Sequence, residues 1–492
     1  MSHIARSSLI IAIFFGIDKI LGLARQVLFN RQFSAAERDV FFVSNNIPDL
    51  LSALISGGAL GIALIPVLSE FLDRDGRSAA WDLFTRIVNL AFLVTAGISA
   101  IIILLAEPLV EHVIAPGFND PAKWALTASL MRLDLLAILV FSISGLVMAG
   151  LQANQHFLLP AMAPGLYNIG QIVGITVLGP RFGIYGLAYG VILGALLHLG
   201  IQIPGLLRFG FRWAPHINLR HPGVQQVLRL MGPRLLTMLC LQSYFLARDR
   251  FASFFEEGAI SALNNGWFIM QVPETLIGTA IAIALLPSLS EHFVRGETQE
   301  FRQTINRALR TMLALTLPVA ALLGASIRPL VDIAFGFEPR ETELVVWATR
   351  AFLLGLMGHT WLEVAVRSFY AQQNARTPLL AAFLQAIAYF LLALILPRWA
   401  GHTGLALADT LSFTGQALLL LFLLNRAHPG ILSLSGTLVR ALLGALAGGG
   451  VVFALLRLLP LPIIPLSLGA LAAGGLVALP FIWSEVKLLV RL

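Results

Sequence analysis

Fourteen long apolar runs leave this chain few folds to choose from. They lie near residues 7–29, 39–72, 82–106, 124–151, 158–180, 183–208, 224–250, 258–292, 303–327, 343–370, 377–397, 402–425, 436–459 and 463–490. A helix needs about 20 residues to cross the hydrocarbon of a bilayer. Lipid offers no partner for backbone N–H and C=O groups, so runs of this kind span as helices. The pattern predicts an all-α polytopic membrane protein with 14 transmembrane helices and both termini on one side. Composition agrees: 58% of the residues are hydrophobic, 12% are charged, and mean hydropathy is +0.84, more apolar than a soluble core requires.

The charges give the orientation. With the N-terminus inside, the inner connections hold Arg74, Arg77, Arg208, Arg212, Arg220, Arg295 and Arg302, and the tail adds Lys487. The outer connections hold fewer basic residues and many acids, among them Glu107, Glu111, Asp120, Glu256 and Glu257. That bias predicts a multi-pass protein with both termini in the cytoplasm. The net charge of +7 is therefore a membrane signal, and nucleic acid is not an expected partner. The single cysteine, Cys240, excludes an intramolecular disulfide and offers no metal-ligand cluster. Asp18 and Lys19 interrupt the first apolar run and no small-residue cleavage site follows, so it reads as a span of the mature protein and not as a signal peptide.

The chain repeats itself. Pro66 to Glu70 (Pro-Val-Leu-Ser-Glu) echoes Pro287 to Glu291 (Pro-Ser-Leu-Ser-Glu), and Pro108-Leu109-Val110 echoes Pro329-Leu330-Val331. Arg132 and Arg350 each begin an Arg-x-x-Leu-Leu pattern, and Gln152-x-Asn154 resembles Gln372-x-Asn374. The matches are colinear, which predicts two parallel six-span lobes, 1–212 and 213–430, followed by a two-helix hairpin at 431–492 that has no counterpart.

One span is too polar to face lipid. Between Arg38 and Glu70 it carries Asp39, Asn45, Asn46, Pro48, Asp49, Ser52 and Ser56. Polar groups at membrane depth are tolerated against protein or a water-filled cavity, so this span is expected to line a cavity.

These stretches carry a resemblance. Leu21-Gly22-Leu23-Ala24-Arg25, Asp39-x-Phe41-Phe42, Ile47-Pro48-x-Leu50-Leu51, Ile65-Pro66-Val67-Leu68, Ala115-Pro116-Gly117-Phe118, Met231-Gly232-Pro233 and Leu285-Leu286-Pro287-Ser288 resemble the MurJ/MviN lipid II flippases of the multidrug/oligosaccharidyl-lipid/polysaccharide exporter superfamily. The resemblance covers nearly the whole chain. It implies movement of lipid II, the undecaprenyl-pyrophosphate-linked peptidoglycan precursor, from inner to outer leaflet by alternating access around a cationic cavity. It implies that the terminal hairpin helps form a groove for the lipid tail. The expected partners are lipid II, membrane lipids and the cell wall synthesis machinery, with the chain itself a monomer. No cofactor is expected beyond a coupling cation whose identity the sequence leaves open.

Lys19 and Arg25 match basic positions of the family motif, Lys19 standing where arginine is usual. Either can pair with a pyrophosphate, and snorkelling to the interface is the alternative for both. Arg248, the repeat partner of Arg25, and Arg250 either face the cavity or form an outer-interface cluster with Asp249. The polarity of the second span puts Asn45, Asn46 and Ser52 in the expected cavity lining, and the resemblance adds Asp39 and the retained amide Gln271. The family's usual second-span charges are replaced by Ser52, Ala53 and Gly57, so the cavity holds fewer charges than is usual. Pro48, Pro66, Pro273 and Pro287 either bend during gating or set static kinks. Asp39 either bonds to a basic neighbour such as Arg38 or caps its helix. Asp409 either binds a cation or proton or is held by the hydroxyls of Thr410 and Ser412. Glu363 and Arg367 are spaced for an ion pair on one helix.

Nothing in the sequence reads as catalysis or a resident metal site: it has no Gly-x-x-x-x-Gly-Lys loop, no metal spacing and no nucleophile with an evident partner. Three functions remain open: lipid II flippase, flippase for another polyprenyl-pyrophosphate-linked oligosaccharide, and non-transporting membrane scaffold.

Overall fold

A computed structural model describes the backbone of residues 3–55 and 59–489, with side chains except those of residues 3–12, 59, 233, 237, 241 and 489. Ser56, Gly57 and Gly58 of the polar span lie outside the described residues. Two compact units divide the chain, Met1–Phe254 and Phe255–Leu492.

The first unit holds α1 (His3–Gln32), α2 (Ala35–Ile55), α3 (Ala59–Arg74), α4 (Gly76–Leu104), α5 (Pro121–Ala153), α6 (Leu158–Val173), α7 (Ile184–Gly200) and α8 (Pro222–Ala252). The second holds α9 (Ala259–Pro273), α10 (Ala280–Val294), α11 (Thr298–Phe335), α12 (Pro339–Leu354), α13 (Leu356–Ala371), α14 (Arg376–Ile395), α15 (Thr403–Ala427), α16 (Ser435–Leu458) and α17 (Ile463–Leu489). Among the described residues, eleven helices are long and apolar enough to cross a membrane. The three expected spans outside that count coincide with α1, with α8 and with the pair α12–α13, which breaks at Gly355.

Association inside lipid is driven by close packing rather than by expulsion of water. In the first unit α6 and α7 pack through glycine. A Cβ placed on Gly170 would come within 2.3 Å of the Gly194 Cα, and one on Gly190 within 2.5 Å of the Gly174 Cα. Elsewhere in this unit Leu64, Leu68, Leu83, Phe84 and Leu146 form one buried cluster, and Phe29, Phe41, Leu130 and Leu187 another. In the second unit Phe301, Leu309, Val364 and Leu420 belong to a larger cluster that also takes in Ile482 of α17. The buried Glu485 carboxylate of α17 accepts from Thr437 (3.0 Å), from Arg310 (3.1 Å) and from Arg440, which ties the terminal hairpin to α11.

Local geometry recurs between the units. Gly183 precedes α7 with φ 58°, ψ −142°, and Gly401 precedes α15 with φ 56°, ψ −143°, a region open essentially to glycine alone. Arg132 Nε donates to the Ile103 carbonyl (3.1 Å), and Arg350 Nε to the Gly324 carbonyl (3.0 Å). Asn89 holds the carbonyls of Ala214 and His216, as Asn306 holds that of Ile431.

The polar span starts earlier than its apolar content suggests. α2 opens with a reciprocal cap in which the Ser34 N–H donates to Glu37 Oε2 (2.9 Å) and the Glu37 N–H to Ser34 Oγ (3.4 Å). Asp39, a turn inside and buried, is therefore not the cap; the true cap lies before the apolar run begins.

Replacing Gly190 with leucine forces α6 and α7 apart and should cost at least about 1–3 kcal/mol. A methyl group added at Gly97 would meet nothing within 4 Å, so Gly97→Ala should be neutral or stabilising. Thermal unfolding of the two purified variants checks the contrast.

Candidate functional site

The polar interior of the first unit is built on one face of α1. Asp18, Gly22 and Arg25 are spaced i, i+4, i+7 and so share a stripe that faces α6. Asn168 of α6 donates its amide to Asp18 Oδ1 at 2.9 Å, and a Cβ on Gly22 would lie 3.9 Å from the same amide nitrogen. One turn along, Arg25 donates to Gln171 Oε1 at 3.2 Å. Asp18, Asp49 and Tyr167 all lie within electrostatic reach of the Arg25 guanidinium. Asp49 is exposed along α2, while its main-chain carbonyl accepts from Gln242 of α8 at 3.2 Å. Arg25 is thus a half-buried cation held by one neutral amide, with two carboxylates near it and neither hydrogen-bonded to it among the described residues. Such a group keeps donors available to an anion.

A second polar layer lies between α2 and α5. Ser44 Oγ donates to Asp134 Oδ2 at 3.3 Å, and Asp134 is fully buried with Oδ1 unmatched. The amide nitrogens of Asn46 and Gln171 are likewise buried and unmatched among the described residues. Asn45 turns back to the Phe41 carbonyl at 2.8 Å, and Ser52 is half-buried on α2.

The other expected site residues fall in different surroundings. Lys19, one residue round the helix from Asp18, is exposed, and its ammonium stands 5.0 Å from the Phe15 ring centroid. Arg248 is fully buried. It pairs with Asp249 at 3.1 Å and lies 5.3 Å from the Phe245 ring centroid. Arg250 donates to the His112 carbonyl at 3.0 Å and to that of Val113. Gln271 is exposed near the end of α9. Pro48 lies buried inside α2, Pro66 and Pro287 lie exposed inside α3 and α10, and Pro273 closes α9.

After Pro273 the chain widens into a π-helical turn, Glu274–Thr279. Glu274 accepts from the Thr279 hydroxyl at 3.2 Å, within electrostatic reach of Glu363 and His359. His359 Nε2 meets Asp409 Oδ2 at 3.1 Å, both groups buried. Asp409 is therefore not held by its neighbouring hydroxyls: Thr410 donates to the Ala351 carbonyl (2.7 Å) and Ser412 to the main-chain carbonyl of Asp409 (3.0 Å). Glu363 and Arg367 do pair along α13. Among the described residues, no group of three or more His, Cys, Asp or Glu side chains is placed to hold a metal ion.

Sequence reading passed over Asp18, Gln171, Asn168 and Glu274. Glu274 had a readable signal, an acid in mid-span directly after a proline. Asp18 was visible as an interruption of the first apolar run, and its i, i+7 spacing from Arg25 marked a shared face.

Breaking the buried His359–Asp409 pair by Asp409→Ala should cost about 3–5 kcal/mol, since it strands a buried partner. Glu363→Ala, which opens a partly exposed pair along one helix, should cost at most about 1 kcal/mol. Denaturation midpoints of the two variants decide.

Comparison with known proteins follows the same lines. The family model described as "Lipid II flippase MurJ" matches residues 32–467. The lipid II flippase MurJ of Burkholderia cenocepacia is 30% identical over 416 residues, covering 82% of this chain and 81% of that protein. A probable lipid II flippase MurJ of Bdellovibrio bacteriovorus is 29% identical over 446 residues, covering 89% and 85%. Among solved structures, lipid II flippase MurJ in an inward closed conformation superposes with a TM-score of 0.84 at 22% identity, covering 98% of this chain and 99% of that one. An inward-facing multidrug resistance transporter of the MATE family is more distant, with a TM-score of 0.67 at 14% identity.

Proposed function

This chain belongs to the lipid II flippase MurJ family, and from that premise we infer that it carries lipid II from the inner to the outer leaflet of the cytoplasmic membrane for peptidoglycan synthesis. The observation that carries the reading at residue level is Arg25, a guanidinium at membrane depth held by a neutral amide instead of a carboxylate. A pyrophosphate cannot cross hydrocarbon bare, because stripping water from its charges is prohibitive. A polar chamber that offers forked donors replaces part of that hydration.

In this reading Arg25 grips the pyrophosphate, and Asp18 and Asn168 set the rotation of α1 that presents it. Lys19 adds a mobile point charge on the neighbouring face. Asn46, Ser52 and Gln271 supply hydrogen bonds to sugar or peptide. Arg248 and Asp249 form a buried pair that braces α8, and Arg250 fastens the end of α8 to the π-helical turn Val110–Ile114. We assign to them support of the chamber in place of direct contact with the load.

The finer layout we propose is 14 spans in two six-span lobes, 1–212 and 213–430, with the hairpin 431–492 beside the lipid tail and both termini in the cytoplasm. The lobes alternate access, and Pro48, Pro66, Pro273 and Pro287 mark where the gating helices bend. The π-helical turn after Pro273 supports that role for the second unit, since such turns interrupt the regular ladder and cluster at functional positions. No bond in the lipid is made or broken. The energy source is a gradient of ion, potential or substrate.

A strain depleted of its own lipid II flippase tests the reading. Expression of this chain should restore growth, and Arg25→Ala should abolish rescue at equal membrane abundance. Lys19→Ala should weaken rescue less. A well-expressed wild-type chain that fails to rescue points to another lipid-linked glycan or to a scaffold.

A further inference from the structure

A cavity of about 630 Å³ opens in the second unit between the last turns of α11, Arg350 near the end of α12, and the turn of the hairpin α16–α17. Its lining includes three arginines, Arg328, Arg350 and Arg457, against one acid, Asp332, with Phe453 and Leu461 among its apolar walls. The arginines differ in what already holds them. Arg328 pairs with Glu343. Arg350 directs Nε to the Gly324 carbonyl (3.0 Å) and stacks 5.2 Å from the Trp347 ring centroid. Arg457 stands 4.9 Å from the Phe453 ring centroid and has no hydrogen-bond or ion-pair partner among the described residues. The one lining acid is engaged elsewhere, with Asp332 Oδ1 accepting from the Thr342 hydroxyl at 2.8 Å.

Two guanidiniums that line one cavity at the ends of apolar helices, neither paired with a carboxylate among the described residues, call for an anion. A guanidinium fork fits phosphate oxygens in pairs. The apolar side of the same cavity calls for hydrocarbon: Phe453 and Leu461 are more than half exposed, on helices and a turn that face lipid. A cavity at the level where membrane helices end sits where headgroups sit. A soluble phosphate would meet the arginines but leave those apolar walls uncovered.

We propose that this cavity binds a membrane lipid with an anionic phosphate headgroup, the phosphate held by Arg350 and Arg457 and the upper chain lying on Phe453 and Leu461. The site belongs to the second unit and the Arg25 cluster to the first, and it does not depend on which lipid the protein transports.

The test is native mass spectrometry of the full-length protein in detergent, titrated separately with phosphatidylglycerol, with phosphatidylcholine and with inorganic phosphate. The wild type should retain phosphatidylglycerol at least about tenfold more tightly than phosphatidylcholine. Arg457→Gln should weaken that retention about tenfold, the loss of one charge-assisted contact. Arg398→Gln removes an exposed arginine outside the cavity and should change nothing. Arg457→Lys should recover part of the retention, as charge without the fork. Equal retention by wild type and Arg457→Gln would overturn the proposal. So would an equal loss in Arg398→Gln, which would reduce the effect to surface charge. Displacement of the lipid by millimolar inorganic phosphate would overturn the lipid assignment in favour of a free anion.

Discussion

A charge inside a bilayer must be paid for by something that replaces water, and the polar architecture of this chain follows from that constraint. In the first unit the replacement is a set of amides and carboxylates on α6, α2 and α1 arranged about Arg25. In the second it is a buried His359–Asp409 pair with Glu274 and Glu363 close by. The two solutions differ in what they leave free. Arg25 keeps donors for a ligand, whereas Arg248, its partner in the internal repeat, is consumed by Asp249 and by the aromatic rings around it. One repeat position thus has two settings, a guanidinium held by a single neutral amide in one case and a buried pair with the adjacent acid in the other.

Much of this was legible in the sequence. Length and hydropathy predict helices, and the helices stand where the apolar runs are. The Arg-x-x-Leu-Leu echo at Arg132 and Arg350 has a physical basis, because both side chains direct Nε to a main-chain carbonyl of the preceding helix. Gln155 and Gln373 adopt matching left-handed angles, φ 59° and 57°, just past the ends of α5 and α13, although the Gln-x-Asn echo itself pairs Gln152 with Gln372 and not these two. Repeats survive in sequence where a side chain or a rare backbone angle is required at a fixed place.

What the sequence withheld depends on rotation and packing. Nothing local says that Asp409 meets His359, fifty residues away, rather than the hydroxyls beside it; the register of α13 on α15 decides. The start of α2 was hidden because a Ser-Glu cap is polar and lies before the apolar run. The separation of Lys19 from Arg25 was readable in principle. Lys19 is six residues from Arg25, off the stripe that Asp18 and Arg25 share, and the structure leaves it exposed while Arg25 turns to Gln171.

The central claim is that Arg25 is the contact through which this family member grips a pyrophosphate-linked lipid. The most direct measurement is the appearance of lipid II on the far leaflet of vesicles that carry the purified chain, compared with vesicles that carry Arg25→Gln, a change that keeps an amide for Gln171 but removes the cation. Rapid appearance with the wild type and a loss of at least about tenfold with the variant, at equal incorporation and equal thermal stability, is the predicted result. Equal rates for the two proteins would contradict it.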